Sequence, residues 1–303
     1  MISTAFLGTP AAAIPSLVAL ASRTDVKLVI TRPDRPRGRS SRARPSPIKE
    51  AATELDLRIA QPFRREELEA VLAGAAPFDV GVVVAYGLIV SPSGLAIPRR
   101  GFVNVHFSLL PRWRGAAPVE RAILAGDTTS GVTLMVMDEG LDTGPILASQ
   151  PATIGPGETA GELTVRLAHL GAGLLSEHLI PFSEGNLVAR PQASEGVTYA
   201  DRITTAEAVV EATRPAADLL RAVRAYSPRP GARLAGGDFK VWEAAPTEVG
   251  AMPAGHLHFD GRRLLMGTGD LPIELVEVQS AGGKRMSGAA WARGRQGDLG
   301  RLT

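Results

Sequence analysis

Five short runs dense in aliphatic residues, at residues 2–7, 26–31, 57–60, 79–85 and 102–106, alternate with helix-like segments at residues 10–21, 47–55, 65–73 and 92–97. Strands that are apolar on nearly every residue must be covered on both faces, and a helix between successive strands returns the chain so that they run parallel. The expected architecture of this half is α/β, a Rossmann-like, mostly parallel sheet with helices on both faces. Start signals agree with it: Pro10 follows Gly8, and Ser46 precedes Pro47, a capping residue ahead of a first-turn proline. Gly8-Thr9-Pro10 lacks the G-x-G-x-x-G of a dinucleotide turn, and Pro10 has no N–H to offer a phosphate.

A further strand at residues 131–137 turns at Asp138-Glu139-Gly140, and a long helix is expected over residues 158–179. Within it Leu163, Leu167, Leu170 and Leu174 recur at helical spacing, the mark of a stripe that faces a core. From residue 181 to about 205 the text turns mixed, with Gly185, Pro191 and Gly196, and reads as a connection. After a helix at residues 216–225, short strands at residues 240–244, 255–259, 262–266 and 274–278 are broken by Gly and Pro, the pattern of a small β-barrel, OB-like in size. The expected domains are therefore 1–181, a linker at 182–204, and 205–303, consistent with a chain of 303 residues that exceeds what one core organises.

Composition removes several classes of function. No apolar run approaches the roughly 18 to 20 residues of a membrane span, and the start of the chain lacks the basic and apolar blocks of a secretory signal, so a cytoplasmic location is expected. Zero cysteines exclude disulfides, thiolate zinc and a cysteine nucleophile. Five histidines remain; His169 and His178 fall in the long helix and His256 and His258 lack carboxylate company, so no metal is expected. Net charge is only +2, yet Arg32, Arg35, Arg37, Arg39, Arg42, Arg44 and Lys49 crowd one stretch against a single acid, Asp34. Such a run is either a solvated face or a local field that favours phosphates. Its place between a strand and a helix, kept irregular by Pro33, Pro36, Gly38 and Pro45, favours the second reading.

Chemistry concentrates in Asn104-Val105-His106-Phe107-Ser108-Leu109-Leu110-Pro111-Arg112-Trp113-Arg114-Gly115. Side chains alternate along a strand, so Asn104, His106 and Ser108 look one way and Val103, Val105 and Phe107 the other. A lone histidine is more often a core residue bonded to backbone, but an amide beside it at a strand's carboxyl end marks the region where open α/β sheets bind ligands. A carboxylate stands elsewhere in the chain, Asp142 of Glu139-Gly140-Leu141-Asp142-Thr143-Gly144; spacing alone does not put it beside His106. Amide, imidazole and carboxylate together suit acyl transfer to an amine: one donor for the developing oxyanion, one proton shuttle, one group to orient it. Ser108 lacks the G-x-S-x-G elbow of a nucleophile, which leaves it a hydrogen-bonding or turn role.

Residues 104–119 together with 131–146 resemble the 10-formyltetrahydrofolate-dependent formyltransferases, and the similarity extends over essentially the whole chain. Its carriers include Phe6-Leu7-Gly8-Thr9-Pro10, the stretch from Arg32 to Pro47, Val82-Val83-Val84-Ala85-Tyr86-Gly87, Val197-Thr198-Tyr199-Ala200 and Lys240-Val241-Trp242. The continuation Arg112-Trp113-Arg114-Gly115-Ala116-Ala117-Pro118 points to the branch that acts on initiator methionyl-tRNA rather than those that act on glycinamide ribonucleotide or amino sugars. The resemblance implies transfer of a formyl group from 10-formyltetrahydrofolate, a cosubstrate, to the methionyl α-amine. It implies Asn104, His106 and Asp142 as the catalytic trio, and Ser108, Leu109, Leu110 and Pro111 with Tyr86, Gly87, Leu88 and Ile89 at the folate site. It further implies Arg35, Arg37, Arg39, Arg42 and Arg44 on tRNA, Arg39 foremost, a C-terminal domain that helps hold tRNA, and a monomer. Formylation of an amino-sugar nucleotide, or tRNA binding without catalysis, are the competing readings. Three positions depart from the family pattern: Phe107 stands where a small residue is usual, Arg229 where an aromatic is expected, and Val210-Glu211 where an acidic-aromatic pair is usual.

Overall fold

The computed structural model describes residues 1–36, 43–236, 239–295 and 299–300; Arg37, Arg39 and Arg42 of the arginine-rich stretch lie outside the described residues. In chain order the elements are β1 (Ser3–Gly8), α1 (Ile14–Ala21), β2 (Asp25–Ile30), β3 (Arg35–Pro36), β4 (Ala43–Arg44), α2 (Pro47–Glu54), β5 (Ile59–Ala60), α3 (Arg65–Ala75), β6 (Val80–Val84), α4 (Pro92–Leu95), β7 (Phe102–His106), β8 (Arg114–Gly115), α5 (Pro118–Ala125), β9 (Thr129–Val136), β10 (Ile146–Thr153), α6 (Ala160–Glu184) and β11 (Tyr199–Ala200). There follow β12 (Val209–Val210), α7 (Ala216–Ala225), β13 (Ala232–Leu234), β14 (Phe239–Pro246), β15 (Leu257–Phe259), β16 (Leu264–Met266), β17 (Ile273–Ser280), β18 (Met286–Ser287) and α8 (Gly288–Arg293). The chain divides into two compact units: residues 1–118, 129–153 and 164–200 form the first, and residues 119–128, 154–163 and 201–303 the second.

In the first unit the seven-stranded sheet has the order β10-β9-β7-β6-β1-β2-β5. The five strands from β7 to β5 are parallel, as expected from their aliphatic runs. Strand order reverses at β1 and β6, which opens a crevice at their carboxyl ends. β9 and β10 add an antiparallel pair. β10 escapes the sequence pattern because it is an edge strand, half exposed, with Ser149, Gln150 and Pro151 in its middle; an edge is where a sheet tolerates proline. One helix start is as anticipated: Ser46 caps α2, its Oγ accepting from Lys49 N at 3.0 Å, with Pro47 in the first turn; Pro10, by contrast, is extended and precedes a single 3-10 turn at Ala11–Ala13, and α1 begins only at Ile14.

The register aligns Leu7, Val83, Asn104 and Met135 in one row across the sheet, so these side chains share a face. That face carries a core of Ala5, Leu7, Leu28, Ile30, Leu68, Leu72, Phe78, Val83, Tyr86, Val90 and Phe102. Asn104 and His106 extend the same face beyond the apolar row. The opposite face packs on α6, where a side chain on Gly171 would strike Val105 at 2.5 Å; the Phe107 ring lies beside it at 3.8 Å, which gives this bulky residue its packing partner. α6 runs past the expected end at residue 179 and takes Pro181 into its last turns.

The second unit is built on a sheet of order β12-β13-β14-β17-β16-β15, with β18 on β17. All its pairs are antiparallel except β12 with β13, as the Gly- and Pro-broken short strands implied. Phe239 and Trp291 pack ring to ring at 5.2 Å, joining α8 to the sheet. β12, β13, β18 and α8 are too short for periodicity to reveal them.

Candidate active site

Asn104 and His106 lie on β7, His106 buried at 6% exposure and Asn104 half-buried. The His106 Nε2 sits 2.8 Å from the Trp113 carbonyl oxygen. A carbonyl only accepts, so Nε2 carries the hydrogen and, in the neutral ring, Nδ1 bears the lone pair. Nδ1 faces Asp142 Oδ2 at 3.7 Å, beyond hydrogen-bond range for a neutral ring but within reach of a charge pair once the ring is protonated. Asn104 Nδ2 donates to Asp142 Oδ1 at 3.3 Å, and the Gly115 N–H donates to Asp142 Oδ2 at 2.8 Å. The structure thus brings the three separated side chains together. The second N–H of the Asn104 amide remains as a donor beside them.

Asp142 reaches this place by an indirect route. β9 is antiparallel to β7 with Val136 opposite Val103, so β9 ends at the amino end of β7. The connection through residues 137–145 must therefore climb back over the sheet face to set Asp142 against Asn104 and His106. It begins with Met137 N donating to Phe102 O at 2.8 Å. Thr143 Oγ1 and Gly140 N both donate to Asp138 Oδ1, at 2.7 and 3.1 Å. Gly144 passes so close that a Cβ there would lie 1.8 Å from Val136 O. Asp142 itself takes a left-handed backbone conformation, φ 52°.

The turn after β7 is braced from within. Ser108, 1% exposed, donates its hydroxyl to Arg112 O at 2.6 Å, with Trp113 O next at 3.3 Å. Thr133 Oγ1 donates to Ser108 O at 2.7 Å and accepts from Leu110 N at 3.1 Å. Leu109 lies over Gly131, and Leu110 is buried. Ser108 is therefore committed to the turn that presents the Trp113 carbonyl to His106. Pro111, half-buried, donates nothing but its carbonyl accepts from Thr198 N at 3.4 Å.

The other expected folate-site segment divides. Tyr86 is a core residue, 2% exposed, and burial pushes its phenol up to about 12, partly offset by the neighbouring Arg32 guanidinium. Its hydroxyl makes no hydrogen bond of ordinary geometry, which leaves a buried polar atom at the crevice where the strand order reverses. Thr9 Oγ1 fastens the loop by donating to Tyr86 O at 2.9 Å. Gly87 (φ 89°) and Ile89, 72% exposed, stand outward, and Leu88 rests on the core. Of this segment only Gly87 and Ile89 present themselves to a ligand, the Tyr86 side chain being enclosed in the core.

Arg35 and Arg44 face each other directly in the β3–β4 hairpin, both exposed. Below them Lys49 Nζ and Gln61 Nε2 each reach an Asp34 carboxylate oxygen at 2.7 Å, and the Lys49 bond foremost, then Gln61, holds that carboxyl below its ordinary value. Among the described residues no group of three or more His, Asp or Glu could hold a metal ion, and no helix is long and apolar enough to cross a membrane.

Residues 190–200 supply partners that the sequence did not reveal. Arg190 pairs with Ile146 in both directions at 2.7 and 2.8 Å. Thr198 Oγ1 accepts from Trp113 N at 2.9 Å, and Tyr199–Ala200 pairs in parallel with Arg114–Gly115. Gln192 joins Arg114 to the Asp142 loop. No periodicity marks these residues, because each acts through a single side chain or a two-residue strand, and residues 197–200 stand out only through the family resemblance.

Comparison with known proteins shows the family of the chain. Residues 6–179 match the formyl transferase family and residues 202–296 the formyl transferase C-terminal domain. The chain is 46% identical over 297 residues to a methionyl-tRNA formyltransferase of Leifsonia xyli subsp. xyli, covering 97% of each chain. It is 46% identical over 295 residues to a methionyl-tRNA formyltransferase of Aromatoleum aromaticum, covering 96% of this chain and 93% of that one. Among solved structures, an N-formyltransferase of Helicobacter canadensis in complex with folinic acid and dTDP-3-aminofucose superposes with a TM-score of 0.66 at 17% identity, over 91% of this chain and 99% of that one. Glycinamide ribonucleotide transformylase 1 of Symbiobacterium toebii gives a TM-score of 0.53 at 21% identity, over 64% of this chain and 95% of that one. At those identities the structures speak for the fold, whereas the near full-length sequence matches speak for descent: this chain belongs to the methionyl-tRNA formyltransferase family of formyl transferases.

Proposed function

We propose that the chain moves the formyl group of 10-formyltetrahydrofolate to the α-amine of methionyl initiator tRNA, with Asn104, His106 and Asp142 as its catalytic residues. The observation that carries the assignment of roles is the convergence of these three at one end of β7. The amine nitrogen bonds to the formyl carbon, the bond from that carbon to N10 breaks, and one proton passes from the amine to N10, so atoms balance without a covalent enzyme intermediate. His106 Nδ1, the ring's free lone pair, takes the proton from the amine and returns it to N10. Asp142 steadies the transient imidazolium at 3.7 Å. Asn104 turns its second N–H to the formyl oxygen as charge develops there. Tyr86, Gly87, Leu88 and Ile89, with residues 108–111 shaping the adjacent turn, hold the folate.

The arginine pair supports a polyanionic partner. Like charges directly opposite in a hairpin destabilise it, and a phosphate between Arg35 and Arg44 removes that cost. We assign Arg35 and Arg44, with Arg37, Arg39 and Arg42 between them, to the tRNA backbone, where contacts position rather than read sequence. We further assign the protein a monomeric state, since the trio calls for no residue of a second copy, and a cytoplasmic location, where charged tRNA is made.

Mass analysis of charged initiator tRNA after incubation with protein and 10-formyltetrahydrofolate tests the reading. Formylmethionine on the tRNA is expected, with His106→Ala slower by on the order of 10²- to 10⁴-fold. Formylation of an amino-sugar nucleotide alone would overturn it, as would binding of tRNA without turnover. In the same assay Arg44→Ala should lower the salt dependence of tRNA binding by about one unit of log–log slope and leave folate affinity alone.

A further inference from the structure

We propose that Gln192 is a positioning residue for this reaction, a strut that fixes the Asp142 carboxylate relative to His106; the inference deepens the proposed function and rests on it. The Asp142 loop needs such a support. It leaves β9 at the far end of β7, returns over the sheet face, and exposes Leu141 at its crest by 60%. Within the loop, the bonds that Gly140 N and Thr143 Oγ1 make to the Asp138 carboxylate tie it only to itself.

Gln192 supplies an external tie at two points. Its Nε2 donates to Asp142 O and to Gly144 O, both at 2.8 Å, and its Oε1 accepts from Arg114 Nε at 3.1 Å and Nη2 at 2.7 Å. A primary amide offers two donors and a carbonyl with two lone pairs, and here all four are used. Glutamate would keep the acceptor and lose both donors, lysine the reverse, and asparagine falls one methylene short.

The tie closes a ring. Arg114 is followed by Gly115, whose N–H donates to Asp142 Oδ2 at 2.8 Å. The carbonyl and the carboxylate of Asp142 are therefore both referenced to the two-residue strand β8, one through Gln192 and one directly. That strand is in turn held by Tyr199–Ala200, and Gln192 stands between this pairing and the Arg190–Ile146 bridge, so its own backbone is secured on both sides. The hydrogen bonds of Gln192 go to the backbone that aims one of the three proposed catalytic side chains and to the Arg114 guanidinium.

The test uses the full-length protein with Gln192→Met, similar in length and without hydrogen bonds, and Gln192→Glu, which keeps the Arg114 side of the ring. Steady-state formylation and amide hydrogen exchange of the free protein are both measured. With Gln192→Met, kcat is expected to fall by on the order of 10- to 100-fold, the scale of an ångström-sized misplacement, while KM for folate and for tRNA stays within about threefold. Exchange is expected to quicken at residues 138–146 and at the Gly115 amide, with protection elsewhere and the unfolding midpoint retained. In Gln192→Glu, residues 138–146 quicken equally while residues 113–117 keep their protection. Unchanged exchange at residues 138–146 in both variants, a kcat within twofold of wild type, a rise in KM at constant kcat, or loss of protection throughout the chain would each overturn the strut. Should the unaltered protein fail to formylate the tRNA, the proposed function falls, and the exchange measurements still decide whether Gln192 holds the loop.

Discussion

Gly115 concentrates three demands on one residue. Its backbone is left-handed, φ 122°; its N–H serves Asp142; and a Cβ would lie 2.8 Å from the Ala200 carbonyl oxygen. Only a residue without a side chain meets all three. Gly115→Ala keeps the N–H, yet it should destabilise the fold by about 2–3 kcal/mol through backbone strain and the clash with Ala200. Urea unfolding measures the loss, and a stability equal to wild type would mean that β8 and β11 do not approach as described. At this scale the sequence was partly readable. Asn104 and His106 were legible as a pair because strand alternation is rigid, and the hydrogen-bonding or turn role expected of Ser108 accords with its bond to Arg112 O. Gln192 was not legible, since an amide in a turn-rich stretch looks like any solvated glutamine until its four partners are known.

Among the elements, the parallel strands announced themselves because both faces are buried and every position is apolar; β10 did not, because one side faces outward and its middle is polar. The first and sixth strands are also joined by a charge. Asp79, just ahead of β6, accepts from Ser3 N at 2.9 Å and Ser3 Oγ at 3.0 Å, and the Ser3 backbone bond, with Arg99 contributing less, holds its carboxyl below the ordinary 3.8. A carboxyl depressed in the folded state contributes stability above its unfolded value and loses it as pH falls through the folded one. Asp79→Asn should therefore cost about 1 kcal/mol near neutrality, a modest sum because the site is partly solvated, and the gap from wild type should narrow below pH 3.8 and close only as pH falls through the depressed folded value. Parallel unfolding curves at pH 7 and about pH 2 check this; a gap as large at the acid end as at pH 7 would assign the effect to something other than the carboxylate.

At the scale of the whole molecule the two units interleave along the chain instead of following one another. The second unit takes residues 119–128 and 154–163 from within the span of the first. Arg121 illustrates the stitching inside that unit: it pairs with Glu207 and donates to the Asp201 carbonyl at 3.1 and 3.0 Å. Gly161 N likewise donates to Ser227 O at 3.0 Å. A chain ended at residue 200 leaves α5 and the start of α6 without these partners. Its thermal midpoint is expected at least about 4 °C below that of the full protein, the shift of roughly 1 kcal/mol; equal midpoints would mean that the inserted segments contribute nothing to the second unit. Turn density set the expected start of the second domain at residue 205, but a sequence read linearly hides such interleaving, because segments belong to a unit through partners far along the chain.

The returning connection between β9 and β10 acts, in effect, as a caliper. Its two arms are pinned in the sheet, so the number of residues between them fixes how far the tip extends, and one residue of extended chain spans about 3.3 to 3.6 Å. Deleting a single residue there would draw the tip back by up to about half that span, enough to carry the acid out of the charge-pair reach it holds at 3.7 Å. Side-chain identity at the outward tip, where Leu141 is 60% exposed, bears little on that reach, whereas the count of residues sets it.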